Sequence, residues 1–346
     1  MLLPHPILDL IDAARAEHPK RRDRDLAAAI GLTEAHLVAA EVGRGARRIT
    51  AAPAVLVPAL EQLSNVMALT RNENCVHEKR GRYTGFQAGD HAAMVLGPDI
   101  DLRIFPRHWV HAFSVVRITD QGTQRSIQVF DACGEAVHKV FLEDRSDVVA
   151  FEAIAKALAL PDDAPFDLHL PDAPEGPQIN ADKIDALRHG WARMTDTHQF
   201  MLMTRRMRFD RLGAYRSVGA PWAQALPRDA VVAALTQAAA ASVPLMIFVG
   251  NPGCIQIHSG PVARLEPMGP WFNVLDPAFN LHLRADRVAE VWLVRKPTKR
   301  GDAVSVEAFD AEGRTILQVF GKRSEAATDT AVWDALATGL AEGVAA

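Results

Sequence analysis

The chain has 346 residues, 49% of them hydrophobic and 23% charged, with 22 glycines and 21 prolines. This is globular composition with room for two domains or one large one, and it excludes collagen-like, fibrous and disordered classes. A net charge of -4 offers no broad positive field to phosphates, so no nucleic-acid partner is expected.

Cys75, Cys133 and Cys254 contain no CxxC and cannot form a closed set of bridges, which fits a reducing compartment. The opening MLLPHPILDLIDAARAEHPK breaks its apolar residues with proline and acids, and no cleavage signature follows. The most apolar run, Val243 to Gly250, has eight residues, against roughly 20 for a membrane span. The expectation is a cytoplasmic protein that is not membrane-embedded.

In chain order, LDLIDAARAEHP, DRDLAAAIG and LTEAHLVAAEVG read as helices, the last with Thr33 as its N-cap. The pair at 22–42 has helix-turn-helix spacing but lacks a periodic basic face, so DNA binding is the weaker reading. DLRIF, HAFSVVRI, SIQVFDACG and AVHKVF follow as strands. DRSDVVAFEAIAKALAL is a helix capped by Asp147 or Ser146 and ending before Pro161. The proline-rich stretch 166–180 reads as a linker. It divides an N-terminal repeat, 1–165, from a C-terminal repeat, 181–346.

The second half opens with helices in INADKIDALRHGWARM and from about Asp196 to Met207, then another in PRDAVVAALTQAAAA. VPLMIFVG, CIQIHSG, AFNLHLR, VAEVWLVRK, AVSVEAFD and RTILQVFG alternate as strands with short turns, the mark of antiparallel hairpins. A last helix runs through TDTAVWDALATGLAEG to Gly343.

Shifting the chain by 179 residues aligns Met67–Phe141 with Met246–Phe320 without gaps, and 18 of the 75 positions are identical. The best-matched clusters, NxxC and FDAxG, consist of residues that chance enrichment in alanine and valine would not supply. The fold expected is therefore α+β, a tandem duplication of a unit with a large antiparallel sheet and a helical section. Too few helices separate the strands for a dinucleotide-binding fold, and no GxGxxG or Walker sequence occurs.

Chemistry concentrates in RMTDTHQFMLMTRRMRFDR. On a helix capped by Thr195 or Asp196, His198 shares a face with Leu202 and Arg205, surrounded by Met194, Met201, Met203 and Met207. Arg205, Arg206, Arg208, Arg211 and Arg216 follow. An imidazole in a soft apolar patch with cations at its edge suits a flat ligand carrying a metal and carboxylates, although a core or interface histidine fits the same window. His77 and Glu78 read as a solvated hairpin end, and Cys75 and Cys254 as buried structural thiols. His108 and His111, three apart in a region read as strand, make a poor shared site. Arg103 shares a strand face with Asp101 and Phe105, and its partner in the second repeat is His282. Lys296 stands at a strand end where an ammonium is able to reach an anionic group, although Arg103 and Lys296 taken singly read as surface cations.

Five segments, VMALTRNENCVHEKRGRY, HQF, VGNPGCIQIHSGPV, GPWFNVLDPAFNLHLR and VWLVRKPT, together with FDAEGR and FGKR, make the chain resemble the cytoplasmic haem-utilisation family of Gram-negative bacteria, the hemin-degrading factors or haem chaperones. The resemblance implies two stacked α+β copies and a haem b (iron protoporphyrin IX). It implies His198 as axial ligand of the iron, Arg103 as a distal residue and the sole candidate for a catalytic role, and Lys296 and Arg211 as further haem contacts. It also implies an inner-membrane importer as donor, and a haem oxygenase or external reductase downstream. Some relatives resemble ring-opening oxygenases and others carriers. Binding and delivery in iron acquisition is the reading preferred here, with a haem-degrading monooxygenase-like activity as the alternative. A structural or interaction protein without haem is the alternative of another class. Where the family often has tyrosine the chain has Phe320, which puts a hydroxyl contact there in doubt.

Overall fold

The computed structural model describes residues 3–120, 122–161, 164–170, 176–323 and 330–342. The first half contains α1 (His5–Glu17), α2 (Asp23–Ala29), α3 (Glu34–Ala39), β1 (Ala46–Ile49), α4 (Pro53–Leu60), β2 (Ser64–Arg71), β3 (Cys75–Gly81) and β4 (Phe86–Gln87). It continues through β5 (Ala93–Leu96), β6 (Asp101–Ile104), β7 (His111–Thr119), β8 (Gly122–Phe130), β9 (Ala136–Ser146) and α5 (Val148–Ala157). The second half contains α6 (Ile184–Ala192), α7 (Gln199–Met207), α8 (Arg211–Val218), β10 (Ala223–Leu226), α9 (Ala230–Ala240), β11 (Leu245–Gly250), β12 (Cys254–Gly260) and β13 (Leu265–Met268). Then follow β14 (Trp271–Asp276), β15 (Phe279–Arg284), β16 (Glu290–Lys296), β17 (Ala303–Phe309), β18 (Thr315–Gly321) and α10 (Ala331–Glu342).

The fold is a duplicated α+β unit with two antiparallel sheets. One sheet runs β1-β7-β8-β9-β2-β3-β15-β14-β13 and the other β10-β16-β17-β18-β11-β12-β6-β5-β4. Each strand of the first order has its repeat partner at the same place in the second, so the internal match in sequence is a match in topology. The chain divides into two compact units, residues 1–71, 78–172 and 250–256 in the first and 72–77, 173–249 and 257–346 in the second.

In the first unit, α1–α3 bury Ile11, Leu26 and Leu37 with Phe113 and Phe130, while α4 and α5 bury Leu56, Leu60, Phe151 and Ile154 with strand residues such as Val66 and Ile127. Thr33 caps α3 as expected, its N–H donating to His36 Nδ1 at 3.2 Å. Asp147 caps α5 by accepting the Ala150 N–H at 2.9 Å.

In the second unit, α9 and α10 pack on strands from β11 to β18, with Leu235, Trp333, Val306 and Leu317 fully buried. Burying each such side chain contributes roughly 1.5–3 kcal/mol. Trp333 donates its indole N–H to Val304 O at 3.0 Å, and a Cβ on Gly321 would lie 2.7 Å from the Trp333 ring, so only glycine lets that strand pass. A second core of Trp191, Phe200, Tyr215, Trp292 and Phe309 joins α6–α8 to the strands.

Three local expectations change. His77 lies inside β3, fully buried, with Phe279 at 4.9 Å between ring centroids, because the turn closes earlier: Asn72 Oδ1 accepts the Asn74 and Cys75 N–H groups at 3.0 and 2.9 Å, and the strand begins at Cys75. Residues 106–108 form a 3-10 turn led by Pro106, so His108 precedes the strand that His111 begins. The helix expected from Asp196 begins at Gln199: Asp196 Oδ1 accepts the His198 N–H at 2.8 Å, a local turn that competes with helix in the preceding residues. Gly343, the expected end of the last helix, lies outside the described residues.

Candidate functional site

His198 stands at the N-cap of α7, and its side chain is 92% exposed. Its Nδ1 lies 2.7 Å from Asp196 Oδ1. The His198 backbone N–H and ring hold the Asp196 carboxyl below the usual carboxylate range. Nδ1 is thereby occupied and Nε2 is the ring nitrogen left to a metal, the arrangement in which a carboxylate orients an imidazole ligand. Met201 and Leu202 expose 56% and 54% of their surface on the first turns of the same helix. Its opposite face is anchored by Phe200 and Thr204, both buried. Helix α6 passes so closely that a Cβ on Gly190 would lie 2.7 Å from Met203 Sδ.

A tight corner turns α7 into α8. Arg208 ends α7 in the left-handed region at φ 61°, and Asp210 caps α8 by accepting the Gly213 N–H at 2.7 Å. The same Asp210 oxygen accepts the Gln178 N–H at 3.0 Å. A Cβ on Gly213 would fall 2.0 Å from Gln178 O, so the approach of that segment requires glycine. The corner places Arg211 on the first turn of α8 and Tyr215 one turn later, on the same face.

These two side chains meet Lys296 and Glu307. In the β16–β17 ladder Val294 faces Ser305 and Lys296 faces Ala303, which puts Lys296, Ser305 and Glu307 on one sheet face by the two-residue alternation. Glu307 Oε1 accepts from Lys296 Nζ at 2.9 Å and from Ser305 Oγ at 2.8 Å. Oε2 accepts from the Tyr215 hydroxyl at 2.8 Å and from Arg211 Nη1 at 3.2 Å. The Tyr215 oxygen in turn accepts from Lys296 at 2.9 Å and Arg211 at 3.0 Å. The Phe200 ring lies 4.8 Å from Lys296 Nζ and 5.2 Å from Arg211 Cζ, within cation–π range.

Burial would raise the Glu307 carboxyl, but Lys296 and Arg211 outweigh it and bring it down to about 2. Burial pulls the Lys296 amine down to about 8, with Glu307 pushing the other way. Burial pushes the Tyr215 phenol well above its ordinary value, so it stays neutral. Lys296 and Glu307 are closed to solvent, whereas 23% of the Arg211 side chain is open. The structure thus brings Arg211 and Lys296 together. The anion that Lys296 meets is Glu307 of its own chain.

Arg103 belongs to the first unit. It lies on β6, paired with Asp101 and donating to Leu102 O at 3.1 Å. Burial raises the Asp101 carboxyl in spite of that neighbour. Phe320, on β18, packs edge-on against Phe248 at 5.3 Å between centroids.

Sequence reading missed Glu307, Tyr215 and Phe200. Glu307 carried a signal: an acid in the otherwise apolar strand AVSVEAF, where a buried charge demands partners.

The fold and this cluster define a tandem-repeat α+β protein with an exposed, carboxylate-oriented imidazole and a buried cationic cluster. The model of the haemin-degrading HemS/ChuX domain matches twice, over residues 31–158 and 208–340, and the chain belongs to that family. It is 37% identical over 321 residues to the hemin transport protein HmuS of Yersinia pestis, covering 92% of this chain and 93% of that one. Among solved structures, the haem-loaded form of PhuS, a heme-binding protein from Pseudomonas aeruginosa, superposes with a TM-score of 0.91 at 43% identity, covering 97% of this chain and 98% of PhuS. ChuS, described as an E. coli heme oxygenase, gives 0.87 at 32%, covering 95% and 99%. Among the described residues no helix is long and apolar enough to cross a membrane.

Proposed function

We propose that this protein binds haem b in the cytoplasm and delivers it during iron acquisition. The observation that carries the reading is His198: its Nδ1 is fixed by Asp196, while Nε2 is free beside the exposed apolar surface of Met201 and Leu202. A neutral imidazole held this way takes iron through Nε2, and soft methionines suit a porphyrin face. Arg211 meets a haem carboxylate at the open edge of the cationic cluster, and Lys296 behind it supplies positive field. The distal role falls to Arg103 on the strength of the family resemblance. An inner-membrane importer is the donor, and a haem oxygenase or an external reductase acts downstream.

Titrating the protein with haem tests this. The wild type develops a Soret band, and His198→Ala weakens binding and changes the spin-state spectrum. An unchanged spectrum and affinity would move the axial role to another residue. Replacing Arg103 by Ala alters the behaviour of iron-bound ligands more than affinity; an equal loss of both would make it a fold or carboxylate-contact residue.

A second reading, ring opening with external electrons, is favoured by the likeness to ChuS. Incubating the haem-loaded protein aerobically with ascorbate or a reductase, with catalase present, separates the two. A defined tetrapyrrole product means an enzyme; recovered haem means a carrier.

A further inference from the structure

Two cations and one carboxylate share the closed cluster on β16, β17 and α8, and Glu307 has no acceptor capacity left for a ligand. Its two oxygens already take four hydrogen bonds, from Lys296, Ser305, Tyr215 and Arg211. Arg211 cannot lose its proton and Tyr215 stays neutral, so with Lys296 protonated the cluster holds one positive charge in surplus. Arg211 spends Nη2 on the Met201 sulfur at 3.4 Å, a weak acceptor that a carboxylate displaces.

At the matching positions the first repeat lacks this surplus. At the shift of 179 residues, Lys296, Ser305 and Glu307 correspond to Arg117, Ser126 and Gln128. Arg117 is answered there by Asp23 at 2.6 Å and Glu41 at 2.9 Å, with Arg15 also on Glu41 at 2.6 Å. Gln128 donates to Ser126, at 3.0 Å. A further buried pair of cations in that unit, Arg71 and Lys139, is matched by Glu34 and Glu135.

We propose that Glu307 is a positioning residue for the cargo site: its carboxylate keeps the enclosed Lys296 an ammonium, so that the cluster presents one unanswered positive charge to a single carboxylate of the cargo at Arg211. The proposal rests on the haem reading for the identity of that cargo. Without a counter-charge a buried amine sheds its proton, because burial disfavours the charged form. The charged and titratable groups facing Lys296 are Arg211 and Tyr215 from α8 and Glu307 from β17; from α7 it meets only the Phe200 ring. Glu307 alone among them carries the negative charge that favours the ammonium.

The test follows the ionisation of Lys296 by NMR in cargo-free wild type, Glu307→Gln and Glu307→Asp, its signal assigned by loss in Lys296→Met. Haem affinity is measured between pH 6 and 9 in the same proteins. In wild type Lys296 titrates near pH 8; in the Gln variant its titration and the pH at which haem affinity falls both move down by about one unit or more, and Asp restores both. A Lys296 titration unchanged by Glu307→Gln overturns the proposal. The first repeat already accommodates glutamine at the matching place, which favours a folded variant; should it fail to fold, wild-type Lys296 decides, a neutral amine at pH 7 overturning the proposal and an ammonium supporting it. Wild type that ignores haem while Lys296 responds as expected overturns the cargo half and the haem reading, and leaves Glu307's hold on Lys296 standing.

Discussion

His138 Nε2 lies 2.6 Å from the Tyr83 hydroxyl in the interior of the first unit, and its Nδ1 lies 2.8 Å from Thr70 Oγ1. Burial brings the imidazole down to about 3, so it is neutral at neutral pH. Thr70 passes the chain on to Gln256 Oε1 at 2.9 Å, and Trp109 stacks over the His138 ring at 6.0 Å. The second repeat has Val249, Val262 and Leu317 where the first has Thr70, Tyr83 and His138.

That exchange of polar for apolar residues yields a stability prediction. Tyr83→Phe leaves a buried imidazole nitrogen without its partner and costs about 1–3 kcal/mol. Replacing Thr70, Tyr83 and His138 together by the second repeat's Val, Val and Leu costs less than the sum of the three single changes, because the imidazole nitrogens and the hydroxyls that pair with them leave together, although Gln256 Oε1 loses its donor. Urea denaturation of the single and triple variants measures both.

Asp196 orients His198. Asp196→Ala leaves the imidazole without its carboxylate, and haem affinity falls about 10- to 100-fold with the ligand itself still present. Haem titration against His198→Ala checks this. Equal loss in the two variants would mean that Asp196 shapes the turn rather than the ligand.

Acid destabilises the protein through two buried carboxylates. Glu34, held by Lys139 and by Arg71 at 3.0 Å, is brought to about 2 against the burial that would raise it, as Glu307 is by Lys296 and Arg211. Folded values below the unfolded ones mean stabilisation that is complete above about pH 4.5 and lost as pH falls towards 2. Denaturation midpoints therefore drop steeply across that window. Glu34→Gln flattens the slope at the expense of stability at neutral pH.

Gly213→Ala forces a methyl against Gln178 O, a clash costing about 1–3 kcal/mol. The start of α8 must move, and Arg211 with it. A lowered thermal midpoint accompanied by weaker haem binding is the expected pair of results; a stable variant with unchanged binding would show that the corner yields without disturbing Arg211.

Much of the architecture was legible because its determinants are local or repeated. Alternation fixed β15 and β16, Thr33 and Asp147 announced their helices, and the 179-residue shift announced the duplication. Where reading along the chain went astray, a short-range competition decided the outcome. Asp196 drew the His198 N–H into a turn, so the helix starts later, and Pro106 set a 3-10 turn ahead of β7.

By itself the sequence determined that two copies of one α+β unit would form, and it singled out His198, Arg103, Arg211 and Lys296. Only the tertiary structure decided what Lys296 touches. Its counter-charge comes from β17, 11 residues on, and its phenol from α8, 81 residues back, and a buried ammonium takes whichever anion the packing brings within 3 Å. Ladder register and a glycine-dependent helix corner set that distance, and neither is written in the residues next to Lys296.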